Sequence, residues 1–347
     1  MMKAQILYGP DDLKYEETGL PKPAEDEVLV RVMNAGICGS DIPRIFTTGA
    51  HRHPLIPGHE FAGQVVDANG HEEWAGRRVG IFPLIPCRKC DCCQAGHYEM
   101  CRDYNYLGSR CDGGFAEYAA VPVWNLLALP DAVSFEQAAM LEPTSVAMHA
   151  IRRLGPKPDE ITVVYALGTI GLLTVMLLKA MGLEQVYAIG KKPYQRELAK
   201  ELGATALTRE EFAALGIGAD CLFECAGRNE TICDAIELTA PGARVCLVGN
   251  PASDISFPKD TYWKILRRQL TVTGTWNSSY QGDGPVDGGT GDGQADDWHA
   301  VLDLLAAGKL HPERLITHRV SLEHLMDGLV IMRDKTGAYV KIMAEMP

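Results

Sequence analysis

The chain has 347 residues, 46% of them hydrophobic and 22% charged, with a formal net charge of −12. That length suits two domains, each large enough for its own core, and the composition is that of an ordinary globular protein. The acidic balance, with no basic stripe of interleaved aromatics, argues against a nucleic-acid partner; no apolar run approaches the ~20 residues that span a bilayer.

The opening stretch MMKAQILYGPDDLKYEE contains no apolar signal segment, so a soluble cytoplasmic protein is expected, with its eleven cysteines in a reducing environment. Residues 1–150 read as β-rich. Glu27–Val32, Gly63–Val66 and Arg78–Phe82 alternate or run apolar between Gly/Pro turns, as strands do. The segments GICGSD and GHE place Cys38, His59 and Glu60 in this half, and Glu142 follows in LEP. Taken singly these are a buried thiol, a core imidazole and surface carboxylates. Taken together, a thiolate, an imidazole and a carboxylate with one position left open make a Lewis-acid zinc site.

Cys87, Cys90, Cys93 and Cys101 follow at the spacing C-x2-C-x2-C-x7-C. Four thiolates so close can form a tetrahedral cage around one Zn2+, and a cage filled by protein sulfur has no open position. This second zinc is therefore expected to be structural. In a reducing compartment clustered cysteines favour metal over disulfides. Cys92 is out of step with the repeat. Cys111, Cys221, Cys225, Cys233 and Cys246 read as small buried apolar residues.

From about residue 160 the pattern becomes strand, glycine turn, helix, repeated. Ile161–Tyr165, Gln185–Ile189, Cys221–Glu224 and Arg244–Val248 are expected strands; Gly168–Met181, Tyr194–Leu202 and Glu230–Leu238 are expected helices. Such alternation makes an α/β fold, a doubly wound parallel sheet. The first strand runs into Ala166-Leu167-Gly168-Thr169-Ile170-Gly171, a dinucleotide-binding G-x-G-x-x-G turn with alanine in the first glycine position. The alanine is expected to be tolerated. Gly168 would let the pyrophosphate approach the backbone, and Gly171 would let helix pack on strand. The next strand should end in an acidic residue that bonds the adenosine ribose. Gly190 stands there instead, followed by Lys191 and Lys192. Loss of the carboxylate and gain of cations favours NADP(H) over NAD(H); the plainer reading is two solvated surface lysines.

Gln281–Gln294 is rich in glycine and aspartate and reads as a surface loop; it lacks the glutamate that a calcium loop requires. A helix at Trp298–Ala307 and a strand at Tyr339–Met343 close the chain.

GICGSDIPRIF, LIPGHEFAG, the four-cysteine lobe, GSRCDGGFAEY, LEPTSVAMHA and ALGTIGLL together resemble the zinc-dependent medium-chain alcohol and polyol dehydrogenases. The resemblance covers essentially the whole chain. It implies a GroES-like catalytic domain of residues 1–150 and 281–347, a Rossmann domain of residues 151–280, and an active site in the cleft between them. Cys38 and His59 match the invariant zinc ligands of the family. Glu60 and Glu142 both match family positions, and which one ligates is left open. Ser40 matches the proton-relay hydroxyl, while Pro43 replaces a relay histidine found in many relatives. Trp276 and Asn277 would lie near the nicotinamide. Arg44 and Arg110 are candidates for a substrate phosphate, with ordinary surface pairing as the alternative.

The implied reaction is hydride transfer between a secondary alcohol of a polyol or polyol phosphate and a nicotinamide cofactor, in a homodimer or homotetramer. The family's usual NAD preference conflicts with Lys191 and Lys192. This keeps open an NADPH-dependent reductase of another ketose or ketone, or a dehydrogenase of the sorbitol or L-iditol type.

Overall fold

The computed structural model describes residues 1–283, 289, 290 and 294–347, so most of the expected loop Gln281–Gln294 lies outside the described residues. The chain divides into two units, Met1–Glu142 with Ser279–Pro347, and Pro143–Ser278. The boundary expected at residue 150 falls inside the helix Leu141–Leu154, whose first turn carries Glu142.

The first unit is built on a seven-stranded sheet. Its strands run in the order Ile316–Ser321, Lys341–Glu345, Glu27–Ile37, Glu60–Asp67, Arg78–Ile81 and Leu126–Ala128, and Tyr118–Pro122 also pairs with Glu27–Ile37. Val28, Val30 and Val32 are fully buried at alternate positions, the mark of a strand with one face on a core. The strand extends five residues beyond the expected EVLVRV, because Ala35 and Ile37 continue the burial after a register shift between Val32 and Asn34. That extension brings the chain directly to Cys38. The neighbouring strand begins at Glu60, opposite Gly36.

The second unit holds a six-stranded sheet, all parallel, in the order Thr205–Leu207, Val186–Ile189, Thr162–Tyr165, Ala219–Glu224, Thr239–Leu247 and Thr271–Gly274. In chain order this is 3-2-1-4-5-6, so the first strand ends at the switch point where open α/β sheets bind ligands. The helix Thr169–Ala180 is buried almost all round, from Gly171 to Leu178, which is why its sequence reads as a continuous apolar run. Among the described residues no helix is long and apolar enough to cross a membrane.

A charged clasp lies at the start of the helix Asp297–Ala306. The fully buried Asp296 accepts hydrogen bonds from the His299 amide at 2.9 Å and from its Nδ1 at 2.9 Å, and Asp283 Oδ1 lies 4.0 Å from Nε2. The Asp283 and Asp296 carboxylates outweigh burial and raise His299 to about 10. A histidine raised above its unfolded value adds stability fully below that value, ~6.5, and loses it as pH rises through about 10. His299→Gln is therefore expected to lower Tm by about 5 °C near neutral pH and far less near pH ~11. Thermal denaturation of both proteins at the two pH values measures this.

Candidate metal and dinucleotide sites

Donor atoms of Cys38, His59 and Glu60 all lie within 4.8 Å of one another. Chain geometry explains the meeting. Cys38 leaves one strand at its end, and Glu60 opens the adjacent antiparallel strand. His59 precedes it, after Gly58 turns the backbone at φ +95°, where a side chain would also collide with the Phe115 ring. His59 and Glu60 are 5% and 1% exposed. A thiol, an imidazole and a carboxylate converging in this way fit a zinc ion with a free position.

The surroundings add groups that sequence reasoning missed. Asp41 is fully buried; it accepts the Cys38 amide at 2.9 Å, lies 3.5 Å from His59 Nδ1 and pairs with Arg44. Burial opposes a charge on either group, yet each stabilises the other. His59, also facing Cys38, is held well above its usual value and Asp41 below its own. This carboxylate–imidazole contact is the arrangement that orients a metal-binding histidine. Its sequence signal was available: Asp41 follows Cys38 by three residues. Ser40 donates its hydroxyl to Cys38 Sγ at 3.4 Å.

Glu142 is not part of the three-donor cluster. It accepts a hydrogen bond from Tyr106 at 3.2 Å, and burial, aided by Glu60, pushes it up to about 7. Tyr106, raised well above its normal range by burial and then by Glu142, remains the donor; its ring meets His59 edge-on at 5.9 Å. Lys341, only 2% exposed, pairs with Glu60 and donates to Ile37 O at 3.1 Å. Of the two candidate arginines, Arg44 is engaged by Asp41 with its side chain 16% exposed. Arg110 instead lies over the Tyr104 ring at 4.2 Å, and Tyr104 meets Tyr106 at 6.2 Å.

The sulfurs of Cys87, Cys90, Cys93 and Cys101 form a second cluster within 4.8 Å. Cys87 and Cys93 are 4.0 Å apart and Cys90 and Cys93 3.5 Å. A zinc tetrahedron with bonds of ~2.3 Å has sulfur–sulfur edges of about 3.8 Å, so the cage has the right size. Backbone amides of Cys87, Lys89 and Cys90 point at its sulfurs. Amides of Arg102 and Cys93 lower Cys90 to about 6, whereas burial raises Cys93 and Cys101. Cys92 is outside the cluster.

In the second unit, Ala166 stands at φ +78°, a conformation that costs an L-residue about 1–2 kcal/mol and explains why glycine is usual there. A Cβ on Gly171 would strike the Ala166 carbonyl, while one on Gly168, at the N-terminus of the helix Thr169–Ala180, would meet nothing within 4 Å. The open amide end of a long helix suits a pyrophosphate. Gly190 has a packing reason beside the absence of charge: a Cβ there would come within 2.8 Å of Leu167 Cδ1. Lys191 reaches Glu230 at 3.0 Å, and Arg196 donates to the carbonyls of Gly190 and Lys191 at 2.8 and 3.0 Å. Past the last strand, Trp276 is 56% exposed. Nearby, Thr275 Oγ1 and Asn277 Nδ2 are buried without a hydrogen-bond partner among the described residues. Such orphaned groups fit a ligand amide that would complete them.

Comparison with known proteins gives consistent matches. The family model of the alcohol dehydrogenase GroES-like domain matches residues 24–131, and that of zinc-binding dehydrogenases matches residues 169–306. The chain is 36% identical over 310 residues to galactitol 1-phosphate 5-dehydrogenase of Escherichia coli K12, covering 86% of this chain and 87% of that protein. An alcohol dehydrogenase of Escherichia coli CFT073 solved with NADH matches at 28% identity and TM-score 0.87, over 99% of both chains. A zinc-binding dehydrogenase of Sinorhizobium meliloti solved with NADP matches equally well, at 28% identity, TM-score 0.87 and 99% coverage of both chains.

Proposed function

The chain belongs to the zinc-dependent medium-chain alcohol and polyol dehydrogenases, enzymes that act on CH–OH groups, and on that premise we propose that it interconverts a secondary alcohol of a polyol phosphate and its ketone. The observation that carries this reading is the convergence of Cys38, His59 and Glu60 within 4.8 Å, with His59 and Glu60 buried. Those three would hold the catalytic zinc, and the four-cysteine cage a structural one. Glu60 is preferred to Glu142 as the third donor because Glu142 is bonded to Tyr106 outside the cluster. Zinc, when bound, would supply Lewis acidity that favours the deprotonated alcohol, and a nicotinamide held by the second unit would supply the hydride acceptor or donor.

The chain's own residues do the rest. Asp41, 3.5 Å from Nδ1, would orient His59 and leave the other ring nitrogen for the metal. Ser40, held against Cys38, would pass the substrate proton outward. Tyr106 and Glu142 form a polar wall able to fix substrate hydroxyls. From His59 a row of rings, Tyr106 then Tyr104, leads to the Arg110 guanidinium. Arg110 is therefore our candidate for the phosphate end of the substrate; Arg44 already neutralises Asp41. The relation to galactitol 1-phosphate 5-dehydrogenase supports galactitol 1-phosphate as the first substrate to try.

For the cofactor we favour NADP(H), held by the turn from Ala166 to Gly171, with the 2′-phosphate near Lys191 and Lys192 and the carboxamide near Trp276 and Asn277. Glu230 shares Lys191, so the preference should be moderate. Lys191→Glu is expected to move the ratio of NADP+ to NAD+ affinities tenfold or more toward NAD+, read by fluorescence titration. An unchanged ratio would make the lysine a bystander.

The function itself is tested by initial rates with NAD+, NADP+, NADH and NADPH across polyols, ketoses and their phosphates, with and without chelator. Chelator-sensitive oxidation of a phosphorylated polyol supports the proposal. Activity confined to NADPH and an unphosphorylated ketone would keep the zinc chemistry and discard the substrate class.

A further inference from the structure

We propose that Lys341 is a positioning residue of the metal centre, whose ammonium competes with the metal for the Glu60 carboxylate and keeps Glu60 an exchangeable donor. This rests on the reading of Cys38, His59 and Glu60 as that centre.

The placement is a property of the sheet. Antiparallel partners face the same side, so Glu60, its partner Gly36 and Met343, the next partner of Gly36, share a face; Lys341, two residues before Met343, shares it too. The ammonium and carboxylate therefore meet across the strand Glu27–Ile37, over Gly36. A Cβ at Gly36 would fall on Glu60 Oε2 and within 2.7 Å of Lys341 Cε, so this glycine is the slot through which the pair forms. Both side chains are 2% exposed, and a second bond to Ile37 O fixes the ammonium.

A buried ion pair adds little stability over an apolar pair of the same volume, so stability is a weak reason for this one. Its position gives a better reason. The same carboxylate belongs to the three-donor cluster. One negative charge shared between an ammonium and a dication binds each less strongly than it would bind either alone. A donor held in that balance can yield its position to a substrate oxygen, which a carboxylate committed only to the metal would not.

The test uses the full-length protein and Zn2+, with dissociation constants measured by competition with a chromophoric chelator. The four-cysteine site serves as an internal control. Lys341→Met removes charge and hydrogen bond; Lys341→Gln removes the charge and keeps a hydrogen bond. Both are expected to tighten zinc at the Cys38 site tenfold or more and leave the control site unchanged. In a Glu60→Gln background the gain should shrink to threefold or less.

Unchanged or weaker zinc in both variants would reduce Lys341 to a structural role and overturn the proposal. An equal gain with and without Glu60 would also overturn it, by showing repulsion without competition. Failure of both variants to fold with zinc supplied would overturn it too, because the metal should then satisfy Glu60. A wild-type protein that binds zinc only at the four cysteines would instead sink the underlying reading of the metal centre.

Discussion

Cys38→Ser is expected to lower turnover by about a thousandfold or more while dinucleotide binding stays unchanged. Serine keeps the volume but offers a hydroxyl that does not ionise near neutral pH, where zinc needs a thiolate. The sulfur also accepts the Ser40 hydroxyl and amide and faces His59, so one substitution removes a metal donor and the partner of the proposed proton relay. The turn at residues 166–171, proposed to hold the dinucleotide, belongs to the other structural unit, which explains why binding should survive. Steady-state rates, zinc content and NADP+ titration on the same preparation check the result. Zinc should fall from about two per chain toward one. Persistent turnover would exclude the role proposed for Cys38.

Cys93→Ser should act on stability. Cys93 is buried and central to its cluster, with Cys87 and Cys90 within 4.0 Å. Structural zinc contributes folding energy directly, and the three remaining sulfurs would no longer fill the cage around it. We expect loss of one zinc per chain and a fall in Tm of about 10 °C or more, with the Cys38 site still loaded. Metal analysis and thermal denaturation measure both. An unchanged Tm after loss of that zinc would show that the lobe does not support the fold.

The match between sequence and structure is closest where the signal is local. The alternation of Val28, Val30 and Val32, the apolar run of Thr169–Ala180 and the turn before it each reflect neighbours a few residues apart. The short strands Thr205–Leu207 and Thr271–Gly274 are not among those expected from the sequence. They lie at the two edges of their sheet, where fewer neighbours select apolar side chains. The cysteine cage was legible because all four sulfurs come from one stretch of chain, and fixed spacing constrains where they can meet.

The cluster of Cys38, His59 and Glu60 shows the limit. Sequence alone supplied the candidate donors Cys38 and His59 and two rival carboxylates, because ligand chemistry is carried by residue type. Tertiary structure separated the carboxylates: strand pairing sets Glu60 beside Cys38, while helix Leu141–Leu154 holds Glu142 against Tyr106. It also assigned Arg44 to Asp41 and brought Lys341 to Glu60 across 281 residues. Residue type determines what a side chain can do, whereas the register of non-local strands determines which partner reaches it first. A buried charge must take the partner that the fold provides.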